Sequence, residues 1–190
     1  MQTLKDLNDL RLYLITDRSL FKDQKYFLTA VEEALIGGVK ALQLREKDLP
    51  DSELTKLGIQ LRILTSNYKA KLIINSRADI AEKIGADGVH LTETSVHANE
   101  IKSNFLDLIV GASTHSLEGA HLAETQGADY ITFSPIYNTL QGELRSAARF
   151  GLIAASHSNS SLASSGFGRN NTAPCSRMFG AGGLRGRLDF

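Results

Sequence analysis

Two hydrophobic periods alternate along the chain from residue 11 onward. The run "RLYLIT" (11–16) is short and apolar, as a buried strand would be, and "QKYFLTAVEEALIGG" (24–38) then sets Phe27, Leu28, Val31 and Leu35 on one helical face. The same order returns in "VKALQLR" (39–45) followed by "LPDSELTKLGIQLRILTSNY" (49–68). There Leu54, Leu57, Leu61 and Leu64 form a 3,4-spaced stripe, and Asp51 or Ser52 is placed to cap the helix. Four further strand-like runs follow: "AKLIIN" (70–75), "DGVHL" (87–91), "LIVGAS" (108–113) and "DYITFS" (129–134), with helical segments between them.

Three junctions repeat one another. "IGGVKALQL", "IGADGVHL" and "QGADYITF" each place a glycine at a helix end just before a strand. Short apolar strands alternating with amphipathic helices imply a parallel sheet covered on both faces, and six successive units predict an α/β fold of the TIM-type (β/α) barrel. An open doubly wound sheet is the competing topology, although no Gly-x-Gly-x-x-Gly fingerprint follows the first strand. The βα pattern occupies residues 1–140, and residues 141–190 form an atypical tail.

Composition narrows the function. With 190 residues, formal net charge +0 and 42% hydrophobic content, the chain reads as one globular domain without the electrostatics of a nucleic-acid or membrane partner. The first twenty residues mix charges through every short apolar run, and no later stretch approaches the roughly 18 apolar residues of a membrane span, so a cytoplasmic location is expected. The one cysteine, Cys175, allows no internal disulfide and no cysteine-based metal framework.

The stretch "ALQLREKDLP" (41–50) carries the chemistry. Alternate residues of a strand face opposite ways, so Val39, Ala41, Gln43, Arg45 and Lys47 share one face and Leu42, Leu44 and Glu46 the other. If Leu42 and Leu44 pack on helices, Gln43, Arg45 and Lys47 point into the barrel near the strand's C-terminal end, where barrel active sites are built. Two cations and an amide converging there form an anion site; a solvated edge strand is the plainer alternative. Other strand ends are polar too: Asn75; Thr92 and Glu93; Ser113, Thr114 and His115; and Thr139 beyond the sixth. His90 reads as packing on the fourth strand, and His97 and His121 as helix-surface residues. Arg18 either reaches the mouth or solvates a loop.

The segments "LYLITDR", "LQLREKD", "LIINSRADIAEKIGADGVHL" and "GASTHSLEGAHLAETQGADYITFSPIY" together resemble the thiamine phosphate synthase/TenI family of β/α barrels, over residues 11 to about 139. The resemblance implies a thiamine-biosynthesis enzyme acting on a small-molecule thiazole phosphate; a homo-oligomer is a separate expectation, from the open edges that six units would leave. Two activities occur in that family. The synthase joins hydroxymethylpyrimidine diphosphate to thiazole phosphate, releases diphosphate and uses Mg²⁺ held by two aspartates. Those positions are Ser76 and, by alignment of "HLTETS", Ser95 here, and Gln141 and Gly142 replace the threonine and lysine expected after Thr139. The TenI-like thiazole tautomerase lacks both aspartates, needs neither metal nor other cofactor, and shifts a proton with a histidine that matches His115. The resemblance thus points to the tautomerase, with His115 as proton carrier and Gln43, Arg45, Lys47, Asn75, Ser113, Thr114 and Thr139 holding substrate. A purely local turn role for His115 is the alternative. The synthase is the second reading, and an inactive or regulatory ligand-binding descendant the third.

After Leu140 the chain has no lysine, few acids and an excess of Ser, Gly, Ala and Arg, with "FGLIAA" (150–155) its one brief strand-like run. The two last βα units and their phosphate-binding turns are not recognisable there, which suggests a shifted reading frame or a disordered tail. Six units alone would leave strands 1 and 6 as open edges.

Overall fold

The computed structural model describes residues 12–134, positions 7 and 10, and residues 152–155. Within them β1 (Tyr13–Ile15), β2 (Ala41–Leu44), β3 (Lys71–Asn75), β4 (Gly88–Leu91), β5 (Ile109–Thr114) and β6 (Tyr130–Phe133) alternate with α1 (Gln24–Ile36), α2 (Asp51–Asn67), α3 (Ala78–Lys83), α4 (Ala98–Asn104) and α5 (Leu117–Thr125). The sheet order follows the chain, and all five pairings from β1 to β6 are parallel. The hydroxyls of Tyr13 on β1 and Tyr130 on β6 nevertheless meet at 2.9 Å. Residues at the two ends of the parallel run can touch only if the sheet curls round, so this is a curled β/α half-barrel, as predicted.

The outer edge of β6 is not open. A further strand, β7 (Leu152–Ala155), pairs with it antiparallel, Tyr130 opposite Ala155 and Phe133 opposite Leu152. The expected open edge is thereby corrected: the brief apolar run of the tail supplies main-chain partners, but runs against the direction a βα unit would give it. The boundary at 140/141 and the rest of the tail, including Thr139, Gln141, Gly142 and Cys175, lie outside the described residues.

Strand alternation sorts the core into two parts. Leu42, Leu44, Leu72, Ile74, Val89, Leu91, Val110 and Ala112 face outward and pack with Phe27, Val31 and Leu35 of α1 and Leu54, Leu57 and Leu61 of α2. The opposite faces supply Ala41, Ile109 and Tyr130 to a smaller interior cluster that Leu10, ahead of β1, completes. The junction glycines act as expected: Gly38, Gly85 and Gly127 all have positive φ, the left-handed turn that ends a helix without steric cost. Asp23 caps α1 by accepting from the Tyr26 amide. α2 differs from expectation, since Pro50 takes the cap position and Asp51 is already helical.

The repeated "GAD" junction has a structural purpose. Asp87 accepts from the Leu72 amide at 2.8 Å and pairs with Arg62 of α2, while Asp129 accepts from the Val110 amide at 2.7 Å and pairs with Lys102 of α4. Each aspartate therefore ties the N-terminal start of one strand to the preceding strand and to a helix, away from the polar strand ends.

Interior space is fixed by Gly111, whose added Cβ would lie 2.1 Å from Cζ of Tyr130. Gly111→Ala is expected to lower the unfolding free energy by about 1–3 kcal/mol, the usual range for overpacking a filled core. Urea denaturation of the two proteins checks this, and equal midpoints would mean that Tyr130 does not fill the lumen.

Candidate functional site

The inward face of β2 behaves as its alternation requires. Gln43 is 2% exposed and its Nε2 donates to Oδ1 of Asn75 at 3.0 Å, joining the exits of β2 and β3. Arg45 and Lys47 follow β2 and are solvent-exposed. The Arg45 amide donates to Oγ1 of Thr16 at 3.0 Å, which holds the β2 exit against the β1 exit. Its positive charge also reaches the interior, where it acts on His90.

Glu46, on the outward face, is a residue whose role the sequence does not signal. Buried to 7% exposure, its two carboxylate oxygens accept from the Arg18 amide at 3.1 and 3.2 Å. Burial pushes its carboxyl pKa up, opposed by hydrogen bonds from Thr16 and the Arg18 amide. The Arg18 side chain pairs with Asp48, so Arg18 belongs to the rim beside Lys47 and is not a free loop residue.

Ser76 and Ser95 are brought together. Asn75 Nδ2 donates to Ser76 Oγ at 3.0 Å, Ser76 Oγ lies 3.3 Å from Ser95 Oγ, and Ser95 Oγ lies 2.7 Å from Thr92 Oγ1. Ser76 has φ +60°, a conformation uncommon for serine and less so for asparagine or aspartate. The two positions thus meet as the resemblance implies, but as hydroxyls that bond one another. Divalent magnesium is held by anionic oxygen ligands, and among the described residues no group of three or more His, Cys, Asp or Glu could hold a metal. The donor set at this corner does not fit a protein-held Mg²⁺.

The β5 exit divides. Ser113 faces inward and its Oγ lies 2.9 Å from Nε2 of His90. Thr114 faces the other way: it is buried and donates its hydroxyl to the Thr132 carbonyl at 3.2 Å. Strand parity therefore removes Thr114 from the mouth. His115 is exposed, with Nδ1–H donating to the Ser134 carbonyl at 2.6 Å, which leaves Nε2 toward the Glu93 carboxylate 3.9 Å away. His97 precedes α4 and meets Gln126, and His121 lies exposed on α5 near Glu124. Thr139 lies outside the described residues.

Below the rim, a buried polar chain fills the lumen. His90 Nδ1 lies 3.1 Å from Tyr130 Oη, which in turn meets Tyr13. Burial, and secondarily the Arg45 cation, bring the His90 pKa down to about 4, and burial pushes both tyrosine hydroxyls up. His90 was expected to pack on its strand; it does, but on the interior face, where it serves as a fully bonded neutral imidazole. The signal was available, since Val89 and Leu91 must face helices and leave His90 inside.

The fold and this mouth define a β/α-barrel protein with amide, hydroxyl and cationic groups gathered at the C-terminal strand ends. The family model described as thiamine monophosphate synthase matches residues 12–178, and the chain belongs to that family. It is 52% identical over 129 residues to "Putative thiamine-phosphate synthase 2" of Aquifex aeolicus, which covers 68% of each chain. It is 42% identical over 134 residues to the thiamine-phosphate synthase of Clostridium acetobutylicum, covering 69% of this chain and 62% of that one. A solved thiamine phosphate pyrophosphorylase from Pyrococcus furiosus superimposes with a TM-score of 0.64 at 41% identity, covering 68% of this chain and 62% of that one. The chain spans roughly two thirds of the length of these relatives. Among the described residues no helix is long and apolar enough to cross a membrane.

These relatives correct the expectation of a thiazole tautomerase. Proteins 36–52% identical to this chain carry the synthase name, and that similarity extends over the strands and helices, whereas the tautomerase reading leaned on five positions, Ser76, Ser95, Gln141, Gly142 and His115. The two serines mark a change in one corner of the site, where the resemblance implies aspartates.

The His90 environment sets a pH dependence. Its folded pKa lies below the unfolded value near 6.5, so the unfolded chain binds the extra proton first, and stability is full above about pH 6.5 and lost as pH falls toward 4. The loss from this group is on the order of 3 kcal/mol. Urea unfolding from pH 7 to 4 should show a shallower slope for His90→Gln than for wild type; parallel slopes would mean that His90 titrates normally.

Proposed function

We propose that this chain is a transferase of the synthase type, joining hydroxymethylpyrimidine diphosphate to thiazole phosphate with release of diphosphate. The observation that carries the proposal is the Gln43–Asn75 hydrogen bond at the exits of β2 and β3, with Arg45 two residues beyond Gln43, set in a chain whose relatives bear the synthase name. In the reaction a carbon–oxygen bond to diphosphate breaks and a bond from the same methylene carbon to the thiazole ring forms, so negative charge gathers on the departing diphosphate. Arg45 and Lys47 are the groups we assign to that charge, because a guanidinium and an ammonium stabilise phosphate oxygens as they gain charge. Gln43, Asn75 and Ser113 orient the reactants through hydrogen bonds, and His115 stands at the rim with its Nε2 toward Glu93. No step is routed through a metal held by Ser76 and Ser95, since neutral hydroxyls do not balance a divalent ion beside a diphosphate.

Two measurements test this reading. Purified protein given both substrates should release diphosphate and form the joined product, and Arg45→Ala should lose about 10- to 100-fold in kcat/KM, as expected for a charge-assisted contact to phosphate. A folded wild type that forms no product would defeat the proposal. Separately, Mn²⁺ titration without substrate should find no stoichiometric site on wild type and a new one on the double variant Ser76→Asp/Ser95→Asp. Tight binding by wild type would overturn the assignment of that corner.

A further inference from the structure

The buried group that the proposed transfer leaves unused is His90. It is 3% exposed, and both ring nitrogens are engaged, Nε2 with Ser113 Oγ at 2.9 Å and Nδ1 with Tyr130 Oη at 3.1 Å. A neutral imidazole has one N–H and one lone pair, so its two bonds run in opposite senses, and fixing one fixes the other. Tyr130 is itself held by Tyr13 at 2.9 Å, and Thr132 Oγ1 approaches Ser113 from the neighbouring strand at 3.4 Å. His90 and Tyr130 are sealed in the lumen, whereas Ser113 is half-buried at the exit of β5, where its hydroxyl reaches the mouth.

We infer that His90 is a positioning residue for the transfer reaction: through the chain Tyr13–Tyr130–His90 it fixes which way the Ser113 hydroxyl presents itself to substrate at the mouth. The inference rests on the synthase reading above. The electrostatics agree, because burial first and the Arg45 cation second keep the His90 ring neutral, so that its two hydrogen bonds hold opposite senses. The lumen supplies the stiffness that a loop-borne serine would lack, since Tyr130 sits against Gly111 with no room for a Cβ.

A double-mutant cycle separates positioning from bulk structure. His90→Leu and Ser113→Ala should each lower kcat/KM by about tenfold, the value of one oriented hydrogen bond, and the double variant should be no worse than Ser113→Ala alone. His90→Gln, which restores a donor and an acceptor, should recover most of the loss. Additive losses, or no rescue by glutamine, would show that His90 merely packs. Should His90→Leu not fold, Tyr130→Phe takes its place, lowering kcat/KM about threefold in wild type and not at all beside Ser113→Ala; an equal loss in both backgrounds overturns the inference. If folded wild type shows no turnover, the synthase reading fails, and nitrogen-15 NMR of His90 judges the relay on its own. A single neutral tautomer whose shifts move in both Ser113→Ala and Tyr130→Phe supports it, and mixed tautomers overturn it.

Discussion

Everything in this molecule follows from one constraint: a parallel strand wrapped by helices must send its neighbouring side chains into two different environments. The outer environment is satisfied by Leu42, Leu44, Leu72, Ile74, Val89 and Val110 against α1 and α2 and their neighbours. What remains on the inner face is then free to be polar, provided each polar group finds a partner. Gln43 finds Asn75, and His90 finds Ser113 and Tyr130. The mouth chemistry is thus the other side of the hydrophobic core, produced by the same register that builds it.

The two ends of the strands divide the work. At the N-terminal ends, Asp87 and Asp129 each bind a neighbouring strand's amide and a helix cation, which fixes register without presenting a free charge. At the C-terminal ends, Glu46 ties down the loop after β1 and leaves the basic residues beyond β2 at the rim. Between them Tyr130 fills the lumen against Gly111, so the polar groups above rest on a packed floor. A change in the floor is therefore expected to reach the mouth through His90 rather than through the loops.

Much of this was legible in the sequence. The short apolar runs between amphipathic stretches marked the six strands, the junction glycines marked the helix ends, and parity set the inward direction of Gln43. Parity also holds the answer for Thr114, which a motif reading groups with Ser113 and His115 although it stands on the opposite face of β5. The Tyr13–Tyr130–His90 chain was not legible, because it joins residues 117 positions apart that meet only when the sheet curls. The antiparallel sense of β7 was hidden too, since an apolar run carries no direction. The activity was misread for a different reason: two serines in one corner say what that corner cannot hold, and that is less than saying which reaction the whole mouth performs.

The central claim is that anionic substrate is held at the C-terminal mouth by the groups that strand parity turns inward. A crystal structure of the full chain soaked with inorganic diphosphate tests it most directly. The account predicts diphosphate beside Arg45 and within hydrogen-bonding reach of the Gln43–Asn75 pair. Diphosphate bound elsewhere on the protein, with this mouth left to solvent, would contradict it.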